Sequence, residues 1–385
     1  MHYKFSCGKI GKTRDLTSLI KKLQKILSSE SALLNAIKNE LLDTKTKIDA
    51  PRKTKIEHEI EEVSYAKEDL IAQEDVMLII THDGYIKRMS KKAYAAVDGP
   101  TKLKEGDVIS EIYEATTTDT LIQFTDLGNY VYLPIHKIPE VKHKDFGYHI
   151  STLIGMEANE RIVFTTIVND FTADRYVLLA TKQGLIKRIK VDKLEVNRYS
   201  KVLKATKLRD GDKVVSADIC TGQDMEVVIA TKDGFMNRYD ASEISIIEPA
   251  SFGVKSIELK SRPNDYVVGA KYVSEKDIIV LATNRGNIKR MRPEEINKGK
   301  KNHVGKMYLK VVKSNMHEAV ALNVIHHKNA NSDLESYIFA EKGYVPLDYT
   351  ILRIAIADNG RKTVPSELGS PTEFVIRRNN LDLDI

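Results

Sequence analysis

Six times in this chain a short β-rich run, two or three polar residues and a glycine lead into a second β-rich run, as in "VMLIITHDGYIKRMS" (76–90) and "YVLLATKQGLIKRIK" (176–190). The glycines are Gly84, Gly128, Gly184, Gly234, Gly286 and Gly343, spaced by 44, 56, 50, 52 and 57 residues. A tight hairpin turn often needs positive φ, which glycine adopts without steric cost, so each unit predicts a β-hairpin. Thr81, Thr125, Thr181, Thr231 and Thr283 stand three before their glycines, and Ala340 takes that place in the last repeat. A further apolar run opens after a polar residue in five places: "GDVISEIYEA" from Gly106, "ERIVFTTIV" from Glu160, "GDKVVSADI" from Gly211, "NDYVVGAKYV" from Asn264 and "HEAVALNVI" from His317. Each repeat then holds three or four strands, the content of a propeller blade. The sequence predicts a mainly β protein: a six-bladed propeller-like domain over residues 76–355, followed by a mobile C-terminal tail, 356–385, acidic at its "LDLDI" tip.

The first 62 residues differ in kind. Between 16 and 42, Leu16, Leu19, Ile20, Leu23, Ile26, Leu27, Leu33, Leu34, Ile37, Leu41 and Leu42 recur at spacings of three and four, which predicts two amphipathic helices. A break is expected at "SSES" (28–31), where Ser29 or Ser31 can cap the second helix. Such a stripe needs a cover, either the chain itself or the partner helix of a coiled coil. Pro51 and dense charge in "KIDAPRKTKIEHEIEE" (47–62) mark the exit, and residues 63–75 read as a linker.

Charge is distributed unevenly. Residues 1–62 hold 13 of the 60 Lys and Arg and 9 of the 54 Asp and Glu, which leaves 47 against 45 for the remainder, so any basic surface there must be a local patch. No apolar run reaches the roughly 18 residues of a membrane span. Cys7 and Cys220 form no CxxC and imply neither a disulfide framework nor a zinc site, and a cytoplasmic protein is expected.

The third and fourth positions after the glycine carry Lys87 and Arg88, Lys187 and Arg188, Asn237 and Arg238, and Lys289 and Arg290. Neighbouring strand residues face opposite ways, so one of each pair is expected on the outer surface, at the same height in four blades. Such a belt suits a curved polyanion, each cation neutralising a phosphate and releasing a counterion. The competing reading is protection of edge strands against aggregation. The loop "INKGKKNHVGKMYLK" (296–310) adds Lys298, Lys300, Lys301 and Lys306 around Gly299 and Gly305, where backbone can approach a phosphate closely, and "SFGVKSIELKSR" (251–262) and "YSKVLKATKLR" (199–209) are weaker versions of it.

"SALLNAIKNELLDTK", "RKTKIEHEIEEV", "DGYIKRMS", "IHKIPEVKHKDFGYHIS" and "SFGVKSIELK", in that order, resemble the carboxy-terminal part of the A subunit of the bacterial topoisomerase IV family, of Gram-positive type, over residues 15–350. The related gyrase A protein carries a Q-R-R-G-G-K-G box. The corresponding stretch here is "AAVDGPTKLKEGD" (95–107), which favours topoisomerase IV. The resemblance implies a β-pinwheel that bends duplex DNA on its rim and supports strand passage, decatenation, supercoil relaxation and chromosome segregation. It implies as partners double-stranded DNA, the catalytic core of the topoisomerase IV A subunit, and the B subunit, and it makes the basic residues named above the DNA-contact candidates. It also makes helices 16–42 the remnant of the family's coiled coil. ATP and Mg belong to other parts of the family enzyme, so no cofactor is expected in this chain. The family's catalytic tyrosine lies in an Arg-Tyr-Thr context that is missing here, and "MHYKFSCGKIGKTRD" does not match, so a chain truncated within the coiled coil and non-catalytic alone is expected.

Other chemistry finds little footing. "SCGKIGKT" (6–13) imitates the end of a phosphate-binding loop, but Gly8 is out of register and no apolar strand precedes it. His58 with Glu59 lacks a second metal-binding His, and His326 with His327 lacks partners in motif spacing. The alternatives left open are a propeller that binds a protein partner, favoured by the near-neutral charge beyond residue 62, and a gyrase A carboxy-terminal domain.

Overall fold

The computed structural model of the protein describes residues 4–48 and 71–378, apart from 98, 158, 223–224, 313–315, 328–334, 349–351, 353 and 355–357. The chain forms two compact units, residues 1–64 and 65–385. In the first, α1 (Lys4–Leu27) and α2 (Glu30–Lys47) part at Ser28 and Ser29. Ser29 occupies the N-cap in extended backbone, but its hydroxyl meets that of Ser31 at 2.8 Å and makes no cap bond. The stripe Leu16, Leu19, Ile20, Leu23 and Leu27 is exposed. Because α1 starts at Lys4, "SCGKIGKT" lies on a helix and forms no phosphate loop. The predicted exit at Pro51, and His58 with Glu59, lie outside the described residues.

The second unit is a ring of six sheets. In the first blade the order from axis to rim is Ile109–Thr116, Asp75–Thr81, Tyr85–Ser90 and Tyr148–His149. The strand nearest the axis turns directly into the hairpin of the next blade, and the chain then returns to lay a two-residue strand on the rim edge of the blade it left. The next four rim strands are Leu203–Lys204, Val254–Lys255, Lys306–Met307 and Arg361–Lys362. The sixth sheet has three described strands, Gly343–Pro346, Ser336–Ala340 and Pro371–Ile376. Successive blades are therefore stitched together by exchanged strands.

Turn chemistry explains the repeated threonine. Gly84, Gly184, Gly234 and Gly286 have φ between 77° and 87°. Each donates its amide to the carbonyl of the threonine three residues earlier, and the threonine hydroxyl accepts from the amide after the glycine, as in Tyr85 N to Thr81 Oγ1 at 3.1 Å. The acid that opens the axial run closes the same turn from outside: Asp107, Asp212 and Asp265 accept the amides of Asp83, Gln183 and Asp233 at 2.9–3.0 Å.

Each of the first five blade junctions is an apolar layer. Between the second and third blades, for example, Phe124, Tyr132 and Phe164 meet Val177, Ile189 and Leu194, and equivalent clusters fill the junctions on either side. A blade is covered on both faces, which is why "TLIQFT" (120–125) is buried at every position.

The junction between the sixth and first blades is built differently. His82 stacks on Phe339 with ring centroids 3.8 Å apart, and its Nε2 lies 3.1 Å from the Glu373 carboxylate. Arg378 exchanges backbone hydrogen bonds with Ser110 and Ile112 at 3.0 Å, and its guanidinium stands 3.5 Å from Glu111. These contacts close the ring. They also revise the expected tail at 356–385: residues 361–362 and 371–376 are strands of the fifth and sixth blades. The reason is that the strand Ser336–Ala340 needs an axial neighbour like every other blade, and "PTEFVI" supplies it, burying Phe374.

Removing residues 371–385 is expected to cost about 3 kcal/mol, the scale of burying one large apolar side chain, and to open the ring. Thermal unfolding and small-angle scattering of the shortened chain would show a lower Tm and a larger radius; an unchanged pair of values would mean that the sixth blade does not need its axial strand.

Candidate nucleic-acid interface

Lys87, Lys187 and Lys289 lie inside the ring, at most 1% exposed. Lys87 Nζ donates to Thr101 Oγ1 (2.7 Å) and to the Lys102 carbonyl. Lys187 Nζ donates to the carbonyls of Ala205 (3.0 Å), Glu248 (2.9 Å) and Ser251 (3.3 Å), and Lys289 Nζ to that of Tyr308 (2.5 Å). In the fourth blade the Asn237 amide replaces the ammonium, donating to Lys300 O at 2.9 Å. The following arginines act likewise on the outer loops: Arg188 Nε reaches Ile244 O (3.0 Å), Arg238 Nε reaches Ile296 O (3.1 Å) and Arg290 Nη1 reaches Leu352 O (2.6 Å). Arg188 is buried and Arg88, Arg238 and Arg290 are half-buried, with the Arg88 carbonyl accepting Val141 N at 2.9 Å.

The expected belt of these pairs on an outer strand face is thus corrected. Strand alternation puts one residue of a pair in water only when one face of the sheet is solvated, and a blade inside a ring has neighbours on both faces. Burial lowers the pKa of Lys187 and Lys289 to about 8, against the opposing pull of Glu248 on the first and of Asp358 and Glu295 on the second; Lys87 shifts in the same direction for the same reason.

Of the loop lysines, Lys298 is held by Asp240 (2.6 Å) and Glu226 (2.9 Å), in a cluster that Arg238 joins through Glu226. Lys300 and Lys306 are exposed, and half-buried Lys301 takes its amide to Glu243.

What water meets at the rim is the edge of the exchanged strands, and there cations recur: Lys204 on the second blade, Lys255 on the third, Lys306 on the fourth, and Arg361 with Lys362 on the fifth, while the first carries His149, whose Nδ1 accepts Ser151 N at 3.3 Å. All but half-buried His149 are exposed. Lys204 Nζ bonds to Leu127 O (3.1 Å) and Asn129 Oδ1 (3.0 Å), and Lys362 Nζ to Ser366 Oγ (2.6 Å), neutral groups that orient the ammonium without cancelling its charge. Backbone bonds between neighbouring rim loops, Ala250 N to Ala205 O (3.2 Å) and Asn302 N to Ser256 O (2.8 Å), fix their spacing. The axis offers no such bias: its cavity of about 700 Å³ is lined by Glu111, Asp218 and Glu373 as well as Lys213, Lys271 and Arg378.

A family model described as DNA gyrase C-terminal domain, beta-propeller, matches residues 75–97, 119–169, 175–221, 226–274 and 277–320, more than half the chain. This chain belongs to that family. It is 36% identical over 336 residues to the A subunit of DNA topoisomerase 4 from Staphylococcus aureus (strain MRSA252), covering 87% of this chain and 42% of that one. The same-named protein of strain NCTC 8325 is 35% identical over an equal span. The chain therefore spans less than half the length of these relatives. A crystal structure of the C-terminal domain of DNA topoisomerase IV superposes with a TM-score of 0.73 at 31% identity, covering 80% of this chain and 94% of that one. The C-terminal domain of DNA gyrase A gives 0.57 at 21% identity over 79% of this chain and all of that one, a likeness of fold. The resemblance read from the sequence motifs holds.

The sequence singles out Lys306 and, in weaker Lys-rich loops, the stretches that hold Lys204 and Lys255, but Arg361 and Lys362 are passed over. A signal existed: "GYHI" (147–150), "VLKA" (202–205), "GVKS" (253–256), "GKMY" (305–308) and "GRKT" (360–363) are a second repeat, mostly opened by glycine. The glycine is required because its Cα faces a hairpin carbonyl: a Cβ at Gly253 would lie 2.7 Å from Ile186 O, and one at Gly305 2.5 Å from Met236 O.

Replacing Lys187 by Met removes the charged donor shared by the Ala205, Glu248 and Ser251 carbonyls, which keep their bonds from Ala250 N, Ser251 Oγ and Lys207 N, and is expected to destabilise the ring by roughly 1.5–3 kcal/mol at pH 7. The pH dependence has a definite sign. A lysine whose folded pKa is near 8 binds fewer protons than the unfolded chain between pH 8 and its ordinary value of 10.5, so its contribution to stability rises with pH across that window. Urea unfolding of both proteins from pH 7 to 10.5 should show wild type gaining on K187M; parallel profiles would mean that the ammonium titrates normally.

Proposed function

We propose that this chain binds duplex DNA along its rim and bends it around the ring, acting as the DNA-wrapping part of a topoisomerase IV-type enzyme. The observation that carries the reading is the recurrence of cations on the exchanged outer strand of four successive blades, the second to the fifth. A ring of roughly equal blades presents these charges along an arc, and B-DNA carries phosphates continuously, so a bent duplex meets one cluster after another. Contacts of this kind position a duplex and carry little sequence information, which suits an enzyme that acts on DNA crossings wherever they arise. Lys204, Lys255, Lys300, Lys306, Arg361 and Lys362 are the phosphate contacts in this reading, with Lys301 and His149 beside them. Lys87, Lys187, Lys289 and the arginines after them act one step back, by holding the loops that carry the rim. As in the family, the partners are the catalytic core of the topoisomerase IV A subunit, and the B subunit, and the setting is the cytoplasm, at the nucleoid. Among the described residues no helix is long and apolar enough to cross a membrane.

Fluorescence anisotropy of a 40-base-pair duplex across a salt series tests this. Wild type should bind with a steep negative slope of log K against log salt. The triple reversal Lys204→Glu, Lys255→Glu and Lys306→Glu should reduce the magnitude of that slope by at least ~2.7, at about 0.9 for each phosphate no longer neutralised. A triple variant that binds as wild type does would refute the rim reading and turn attention to a protein partner.

A further inference from the structure

Three side chains able to ligate a metal meet at the hairpin turn of the first blade. His82, Asp83 and Asp107 each bring one ligand atom, and these atoms lie within 4.8 Å of one another. His82 Nδ1 stands 3.6 Å from Asp83 Oδ1, near the roughly 3.3 Å that separates two ligands of a tetrahedral ion with bonds of about 2.0 Å. Asp107 is only 5% exposed. Its Oδ1 accepts the amides of Asp83 (3.0 Å) and Val108 (2.9 Å), whereas its Oδ2 is buried with no hydrogen-bond partner. A carboxylate oxygen left bare in the interior costs free energy unless a proton or a cation meets it.

The repeats separate what the turn needs from what this cluster adds. Asp212 and Asp265 close the third and fourth turns in the same way, and their Oδ2 atoms also lack a hydrogen bond, so the aspartate belongs to the fold. In the fourth blade a cation meets that oxygen, Arg262 Nη1 at 3.3 Å; in the first the matching Lys104 stands instead over the Tyr85 ring, 5.7 Å from its centroid. The position of His82 differs as well. The third and fourth blades hold Lys182 and Lys232 there, and Lys232 Nζ faces Asp233 (3.5 Å) and Glu318 (3.4 Å). The first blade replaces an ammonium, which only donates, by an imidazole, which can ligate. That imidazole is held as a ligand should be. Its Nε2 lies 3.1 Å from the Glu373 carboxylate of the sixth blade, and its ring lies flat on Phe339. A metal-bound histidine characteristically donates its other ring N–H to a carboxylate, which fixes tautomer and ring plane; with Nε2–H given to Glu373, the Nδ1 lone pair is left for a cation shared with the aspartates.

We propose that His82 Nδ1, Asp83 and Asp107 Oδ2 bind a divalent transition-metal ion of the zinc type, with water completing its shell, and that the ion clamps the junction between the sixth and first blades. One imidazole with two carboxylates is a donor set for zinc; magnesium and calcium take shells of oxygen. The charges that bear on His82 are the carboxylates of Glu373, Asp83 and Asp107, an excess of negative charge that a dication offsets in place of the proton Nδ1 otherwise carries. The ligands come from the first blade, and the clamp acts through His82, because a bound ion fixes the ring that stacks on Phe339 and holds Glu373. The Asp83 side chain, 44% exposed, leaves the site open to entry from water. The proposal is independent of what the rim binds.

The test titrates the full chain with zinc after dialysis against a chelator, read by calorimetry and by thermal unfolding. Wild type should bind zinc and gain about 5 °C in Tm when zinc stands a hundredfold above its Kd, a gain that magnesium does not give. His82→Lys installs the residue of the third and fourth blades, keeping a cation toward Glu373 while removing the ligand. Asp107→Asn keeps an oxygen for the two backbone amides. Each should weaken zinc binding at least about tenfold and abolish the gain in Tm, whereas Asp212→Asn, the same change in the third blade, should leave both as in wild type. Should Asp107→Asn fail to fold, His82→Lys decides alone. A wild-type chain that binds no zinc, an equal gain with magnesium, or a zinc gain that survives His82→Lys overturns the proposal; the last result is what zinc held by His326 and His327 beside Asp277 (3.1 and 3.4 Å) would produce.

Discussion

Everything in the ring follows from the apolar layers between blades. A four-stranded sheet whose two faces are both apolar cannot stand in water, and here each blade from the second to the fifth closes one face on its predecessor and the other on its successor. Once both faces are used, water touches a blade only along its rim edge and at the ends of its strands. A charged side chain in mid-strand must then find carbonyls, as Lys187 does among Ala205, Glu248 and Ser251. A charge meant for a ligand must sit on the last strand. The exchange of that strand between blades supplies it and prevents the layers from sliding.

The period of the fold is legible in the sequence because its cause is local: a turn that needs positive φ needs glycine, and the turn fixes the threonine before it. The hairpins, the six blades and the order of the helices all follow from such local demands. The position of the cations is not local. Whether Lys187 faces water depends on what lies over it, and that is decided by Glu248 and Ser251, 61 and 64 positions away. The rim strands are hard to see because two residues carry no periodicity, and Gly253 and Gly305 read as phosphate-binding glycines when their role is close approach to Ile186 and Met236. The last strand, Pro371–Ile376, reads as tail because no glycine turn follows it.

One junction departs from the rule. Where the sixth blade meets the first, the His82–Phe339 stack and the Arg378–Glu111 pair stand in place of a full apolar layer. The pair joins half-buried Arg378 to buried Glu111, and two charges taken out of water lose much of their attraction to desolvation, whereas each apolar layer buries a dozen or so side chains. The ring is therefore weakest at its seam, and a load applied along the rim would be felt there first. His82 makes the seam sensitive to pH as well: despite burial, which opposes it, the Glu373 carboxylate, with Asp83 and Asp107 nearby, raises its pKa, so the contribution of the imidazolium is present at acid pH and is lost as pH rises through that raised value.

The buried ammonium groups join stability to the rim. Lys187 of the third blade grips Ala205, which directly follows the rim strand of the second, and Ser251, which leads into the rim strand of the third. Lys289 of the fifth blade grips Tyr308, next after the rim strand of the fourth. Each lysine thus crosses a blade junction and fixes a neighbouring stretch of the outer edge, at the expense of an ammonium taken out of water. A hydrophobic residue would fill the same volume and spare that desolvation, but it offers no donor to loop carbonyls and would leave the loops free. In the proposed role, charges spaced along a rim to match a stiff polyanion need loops that do not move, and Lys187 and Lys289, which look most like ligand contacts, set the distance between contacts instead.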